Sequence, residues 1–258
     1  MSFSVDALKS LAVQASLSPK EEMIETGCKK ESLYIGIPKE TELQEQRVAL
    51  VPESVGLLVA NGHRVVIEAN AGEKANFSDS DYSESGAEIL YDTKEIYNAD
   101  IILKVSPPND EQISLMKHKQ ILFSALQLNV QPKNALQKLM KKKVTAIAWD
   151  YIEDESGSFP LIRSMGEIAG TTSFLIAAEL MSNVNNGKGI MLGSVAGISP
   201  PELVIIGAGT VGQFAASAAL ALGVSVKVFD NSLSKLRRLQ NEIGQKTFTS
   251  VIQPKVLE

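Results

Sequence analysis

The chain has 258 residues, 44% apolar and 21% charged, with 25 Lys and Arg against 30 Asp and Glu for a formal net charge of −5. That is globular composition at a length that favours two domains. The acidic balance excludes a protein that holds nucleic acid through a concentrated basic face, and no run approaches the roughly 18–20 apolar residues of a bilayer-spanning helix.

Residues 1–32 are polar, with short apolar clusters at Leu8, Leu11 and Val13, and read as an N-terminal extension with room for one helix. Cys28 lies in this stretch. As the single cysteine it closes no internal disulfide, which fits a reducing, cytoplasmic setting, and an incidental thiol is expected rather than a nucleophile. From Leu33 onward, short β-branched runs at 33–37, 64–68, 100–105, 120–126 and 144–149 alternate with helix candidates at 53–61, 78–85, 110–117 and 132–142. Strands alternating with helices imply βαβ crossovers and a parallel sheet. The fold class is therefore α/β, with two Rossmann-like domains.

After an acidic, Gly-containing loop at 150–160, the small-residue stretch Met165 to Met181 predicts one long, largely buried connecting helix. Asn183 to Gly189 breaks it, and a second α/β unit starts at Pro201. The expected division is 33–160 for an N-terminal substrate-type domain and 161–258 for the connecting helix with the first half of a nucleotide-binding domain.

The chemistry is concentrated in that second unit. Glu202-Leu-Val-Ile-Ile206 runs into Gly207-Ala-Gly209-Thr210-Val211-Gly212, an Ala-rich helix follows, and a second strand ends in Asp230. The pattern G-x-G-x-x-G alone is a weak signal, but strand, turn, helix and acid together mark a dinucleotide site. Gly207 permits the tight turn, Gly209 lets backbone approach a pyrophosphate, and Gly212 lets helix and strand pack closely; the helix N-terminus, opened by Thr210 and Val211, faces the phosphate charge. Asp230 is placed to accept hydrogen bonds from ribose hydroxyls and would repel a 2′-phosphate, which favours NAD over NADP. The competing reading is a turn that only packs tightly, with Asp230 as a helix cap. Lys235, the first basic residue after Asp230, either reaches the ribose or is a solvated helix lysine.

Several segments resemble the alanine dehydrogenases and the related α subunits of nicotinamide nucleotide transhydrogenase. They are Gly36-Ile-Pro-Lys-Glu40, Gln46-Arg-Val-Ala-Leu-Val-Pro52, Asn61-Gly-His-Arg-Val65, Asp100-Ile-Ile-Leu-Lys-Val105, Pro160 to Gly170 and Gly187 to Gly193. The loops at 150–170 and 187–201 are closer to alanine dehydrogenase. The resemblance implies NAD-dependent oxidative deamination of L-alanine to pyruvate and ammonium by a homo-oligomer. It implies that Arg47 clamps the substrate carboxylate and that Lys104 adds charge to the same carboxylate or to the carbonyl oxygen. From residue type alone, Arg47 is a surface ion pair with Glu42 or Glu45, and Lys104 a solvated strand end.

Three positions depart from the family pattern. Gln127 stands where the family carries its catalytic histidine, and glutamine hydrogen-bonds a carbonyl oxygen but shuttles no proton near neutral pH. His63, in a turn before a strand, and His118, in a Lys-rich helix end, do not replace it by sequence. Gly166 stands where alanine dehydrogenases carry a serine beside the nicotinamide half of the cofactor. The sequence stops after about one βαβ unit and the start of a third strand, so a truncated chain is expected. Besides the alanine dehydrogenase reading there are two others: a transhydrogenase α-type subunit passing hydride to an NADP-binding partner, and a non-catalytic NAD-binding homologue.

Overall fold

A computed structural model describes residues 32–252. The expected N-terminal helix and Cys28 lie outside the described residues. Within them, nine strands form two all-parallel sheets.

The first sheet holds β1 (Tyr34–Ile37), β2 (Arg64–Glu68), β3 (Glu88–Leu90), β4 (Ile101–Leu103), β5 (Ile121–Ser124) and β6 (Thr145–Ala148) in the order 3-2-1-4-5-6. Its helices are α1 (Pro52–Ala60), α2 (Asp79–Glu84), α3 (Thr93–Ile96), α4 (Asp110–Leu115) and α5 (Lys133–Lys141). Their starts follow from local chemistry. Pro52 opens α1, where a missing N–H costs nothing, and reciprocal side-chain to backbone bonds of Ser78 with Asp81 and Asn109 with Gln112 cap α2 and α4. Val65, Val66 and Ile67 of β2 are all buried, as a strand covered on both faces must be. One core cluster joins Ile35, Ile37, Val65 and Ile67 to Val55 and Tyr82, and another joins Ile102 and Leu122 to Ile113 and Leu139. Because the chain winds outward from β1 and returns to β4, the neighbours β1 and β4 bound the topological switch point, and their C-terminal ends open a crevice.

The second unit comprises α6 (Pro160–Met181), β7 (Glu202–Ile206), α7 (Thr210–Ala221), β8 (Ser225–Phe229), α8 (Leu233–Ile243) and β9 (Phe248–Ser250). Its sheet has the order 7-8-9, so β7 is an edge strand whose Val204 and Ile206 are 47% and 69% exposed. Phe174 of α6 completes a core with Val226, Val228, Ala216, Ala219 and Leu239.

The long helix starts at Pro160 rather than Met165, and it is not largely buried. Only Gly170 and Phe174 are buried on it, while Ile168, Leu175, Ile176 and Leu180 are exposed. Its small residues serve close approach along one stripe. A Cβ on Gly170 would run into Val211 O and lie 2.8 Å from Phe214 Cβ. β3 and α3 were not anticipated, and the terminal residues expected in β4, β5 and β6 belong to loops or to the turn Trp149–Tyr151. No described helix is long and apolar enough to cross a membrane.

Candidate functional site

Two candidate regions are built from opposite materials. The first is the switch-point crevice, made of charged side chains. β1 runs directly into Pro38, Lys39 and Glu40, and β4 into Lys104, Val105 and Ser106. The Lys104 ammonium meets the Glu40 carboxylate at 2.9 Å with the two side chains 1% and 5% exposed, and Glu40 accepts a second bond from Val105 N–H at 2.6 Å. Lys104 is thus a buried, paired cation and not a solvated strand end. The backbone bond to the second Glu40 oxygen offsets part of the cost of burying this pair.

Arg47 forms the ion pair open to it by residue type, with Glu45. Its Nε and Nη2 donate to the two Glu45 oxygens at 2.8 and 2.7 Å, and its backbone N–H adds a third bond at 3.0 Å. These donors, the side-chain bond foremost, hold the Glu45 carboxyl at about 2, well below the usual glutamate range. Ser106 Oγ also donates to Glu45 at 3.2 Å, which ties the loop after β4 to the loop after β1.

Gln127 follows β5 in a left-handed conformation, φ 44°. A non-glycine residue adopts this only when its surroundings hold it. Here the Asp150 carboxylate accepts from the Leu126 and Gln127 N–H groups, each at 3.1 Å, and the Gln127 carbonyl accepts from Val130 and Gln131 N–H. Gln127 lines a cleft of about 410 Å³ together with Glu42, Glu45, Ser106, Asn109 and Gln131. Sequence reasoning missed Glu40, Ser106 and Asp150. Neither histidine lies at this cleft: His63 Nδ1 accepts from Leu33 N–H and His118 is exposed beyond α4.

The second region is a backbone construction at the end of β7. Gly207 has φ 110°, open to glycine at little cost, and a Cβ on Gly212 would overlap Gly207 O, so both positions demand glycine on steric grounds. Gly209 differs: a Cβ there would meet nothing within 4 Å. Its missing side chain leaves open space, not a packing contact. Gly207, Gly209, Thr210, Val211, Gly212 and Gly166 all line one cavity of about 820 Å³. Gly166 lets α6 close on α7, since a Cβ would sit 3.1 Å from Thr210 Cγ2.

Asp230 follows β8. Its carboxylate accepts from Ala208 N–H at 2.8 Å and from Ser232 N–H at 2.7 Å, bonds that hold its pKa below the usual aspartate value. It pins the glycine turn to the start of α8 and retains unused lone pairs. Lys235 lies in the first turn of α8, exposed, and adds a favourable charge to Asp230. The two regions touch through Arg47, whose Nη1 lies 3.4 Å from the sulfur of Met165, next to Gly166.

A doubly wound sheet joined by a long helix to a strand, glycine turn and helix defines a Rossmann-like α/β protein. Residues 36–169 match the family model described as alanine dehydrogenase/PNT, N-terminal domain, and residues 173–257 match its C-terminal counterpart. The chain belongs to the alanine dehydrogenase/PNT family, a family of oxidoreductases. It is 38% identical to an alanine dehydrogenase of Bacillus subtilis (strain 168) over 222 residues, 86% of this chain and 58% of that relative. A solved L-alanine dehydrogenase superposes with a TM-score of 0.77 at 36% identity, covering 86% of this chain and 62% of the other. The transhydrogenase from Sinorhizobium meliloti shares the fold, with a TM-score of 0.71 at 24% identity and the same two coverages of 86% and 62%. The chain therefore spans about three fifths of the length of the relatives it matches.

Proposed function

We propose that this chain carries the substrate-binding and dinucleotide-binding parts of an NAD-dependent oxidoreductase of the alanine dehydrogenase type, acting between L-alanine and pyruvate. The observation that carries the reading is the glycine turn with its unfilled space at Gly209, in a cavity that shares α6 with the Arg47 contact. Bound NAD would supply the hydride acceptor. Gly207 to Gly212 and the first turn of α7 would hold its pyrophosphate through backbone N–H groups, and Asp230 with Lys235 would face the adenosine ribose. Asp230 is anionic, which favours a free 2′-hydroxyl over a 2′-phosphate.

Arg47 would orient the substrate carboxylate with donors that Glu45 leaves free, and Lys104, buried and paired with Glu40, would hold the shape of the crevice beside it. Gln127 would hydrogen-bond the substrate oxygen without transferring a proton. The exposed apolar face of α6, with Ile168, Leu175 and Ile176, supports a homo-oligomer, and a cytoplasmic setting rests on the lone Cys28, which suits a reducing compartment.

One observation favours a second reading. General acid–base help is worth about 10²–10⁴ in rate, and Gln127 cannot give it. A protein that holds NAD(H) for hydride exchange with an NADP-binding partner, or that only binds it, needs no such group. The test follows NADH absorbance with pyruvate and ammonium for the unmodified protein and for Gln127→His. Turnover by the unmodified protein supports alanine dehydrogenase activity. Turnover only by Gln127→His indicates a competent pocket that lacks its acid. No turnover by either overturns the alanine reading in favour of hydride exchange or binding.

A further inference from the structure

We propose that Glu45 is a positioning residue that sets specificity: by filling one fork of Arg47 and cancelling its charge, it limits the crevice to ligands bearing a single carboxylate. The proposal rests on the substrate reading above and deepens it.

Glu45 is fixed from both sides. Its backbone closes a turn onto Glu42 O at 3.2 Å, with Gln44 left-handed at φ 69°, and its carboxylate is bound by Arg47 and Ser106. Arg47 has five N–H donors in a planar fork. Glu45 takes the edge formed by Nε and Nη2, and Nη1 faces the weak acceptor Met165 Sδ at 3.4 Å. The end formed by Nη1 and Nη2 keeps donors for one further carboxylate, and no more.

The other charges around the crevice are mixed. Lys104 is cancelled by Glu40, and Lys74 donates to the Glu45 carbonyl at 3.3 Å. Against these stand Glu42 on the cleft wall and Asp150 behind Gln127. Glu45 remains anionic at any working pH, since Arg47 holds it near 2. Gln127 and Gln131 offer hydrogen bonds but no charge. Arg47 lies outside the cleft lining, so a ligand's first carboxylate takes its free end on the Met165 side, and a second one reaching into the cleft meets Glu42 and Glu45. Like-charge rejection of this kind is how a site excludes a near relative of its ligand.

The test is calorimetric titration of the full chain, with NADH present, using pyruvate and ketomalonate, two small 2-oxo acids with one and two carboxylates. The unmodified protein is expected to bind pyruvate at least tenfold more tightly. Glu45→Gln is expected to shrink that ratio about tenfold, chiefly by tightening ketomalonate, whereas Ser106→Ala, which removes a tether but no charge, leaves it within twofold. Equal binding of the two acids by the unmodified protein overturns the proposal without any variant. Equal weakening of both acids by Glu45→Gln overturns it as well, because a merely structural role would do that. Absence of pyruvate binding overturns the substrate reading and this inference together; pyruvate binding with an unmoved ratio overturns this inference alone.

Discussion

The crevice after β1 and β4 and the glycine turn after β7 both sit at the C-terminal ends of parallel strands, yet they are built in opposite ways. At the crevice two basic side chains already have carboxylate partners, Lys104 with Glu40 and Arg47 with Glu45. At the glycine turn the preparation is subtraction: side chains are missing, and backbone N–H groups and space remain. A site made of paired charges is coupled to the stability of the chain, while a site made of absent atoms can be damaged without unfolding anything.

The sharpest way to break that contrast is Lys104→Ala, which leaves the Glu40 carboxylate buried and unpaired. It should cost about 3–5 kcal/mol, read as a drop in melting temperature of roughly 10 °C. Stability within error of the unmodified chain would show that the pair is not coupled to folding. Next is Gly212→Ala, whose Cβ overlaps Gly207 O. Overpacking should cost about 2–3 kcal/mol in a denaturant titration, so that this glycine of the turn behaves like the crevice.

Gly209→Ala should do the reverse. Stability should stay within about 0.5 kcal/mol, because the added methyl meets nothing, while NAD affinity measured by calorimetry falls at least about tenfold. Retained affinity would mean that the open space is not where a dinucleotide lies. The smallest effect concerns acid. The Glu45 pKa is depressed in the folded chain, so its stabilisation is complete above the ordinary glutamate value and is lost as pH falls from about 4.5 toward about 2. With Arg47 half exposed, solvent screening limits this to about 1 kcal/mol. Melting curves at pH 3 and pH 6 should differ less in Arg47→Ala than in the unmodified chain.

What the sequence revealed divides along the same line. The glycine turn was legible because its logic is local: strand, turn and helix fall within one βαβ unit, and Gly207, Gly209, Thr210, Val211, Gly212 and Gly166 line one cavity, with Asp230 outside its lining. The crevice was half legible. Its basic residues were visible, but the partner of Lys104 lies 64 residues away and meets it only because β1 and β4 become neighbours. Asp150 was hidden for a similar reason, since it acts on backbone N–H groups, which leave no mark in a residue pattern. β3 escaped because Glu88-Ile-Leu90 is too short to show a period. The long helix differs from expectation because an apolar, small-residue composition reads as a largely buried helix, when Gly166 and Gly170 use it for one close seam.

The open side of β7 has a consequence for handling this chain. Its outer row of backbone donors and acceptors has no strand partner among the described residues, and Val204 and Ile206 stand exposed beside it. Encounters between two such rows are second order in protein. A preparation that stays monodisperse when dilute should scatter light and gain β-structure as it is concentrated, and lysine at Val204 or Ile206 should move that onset to higher concentration.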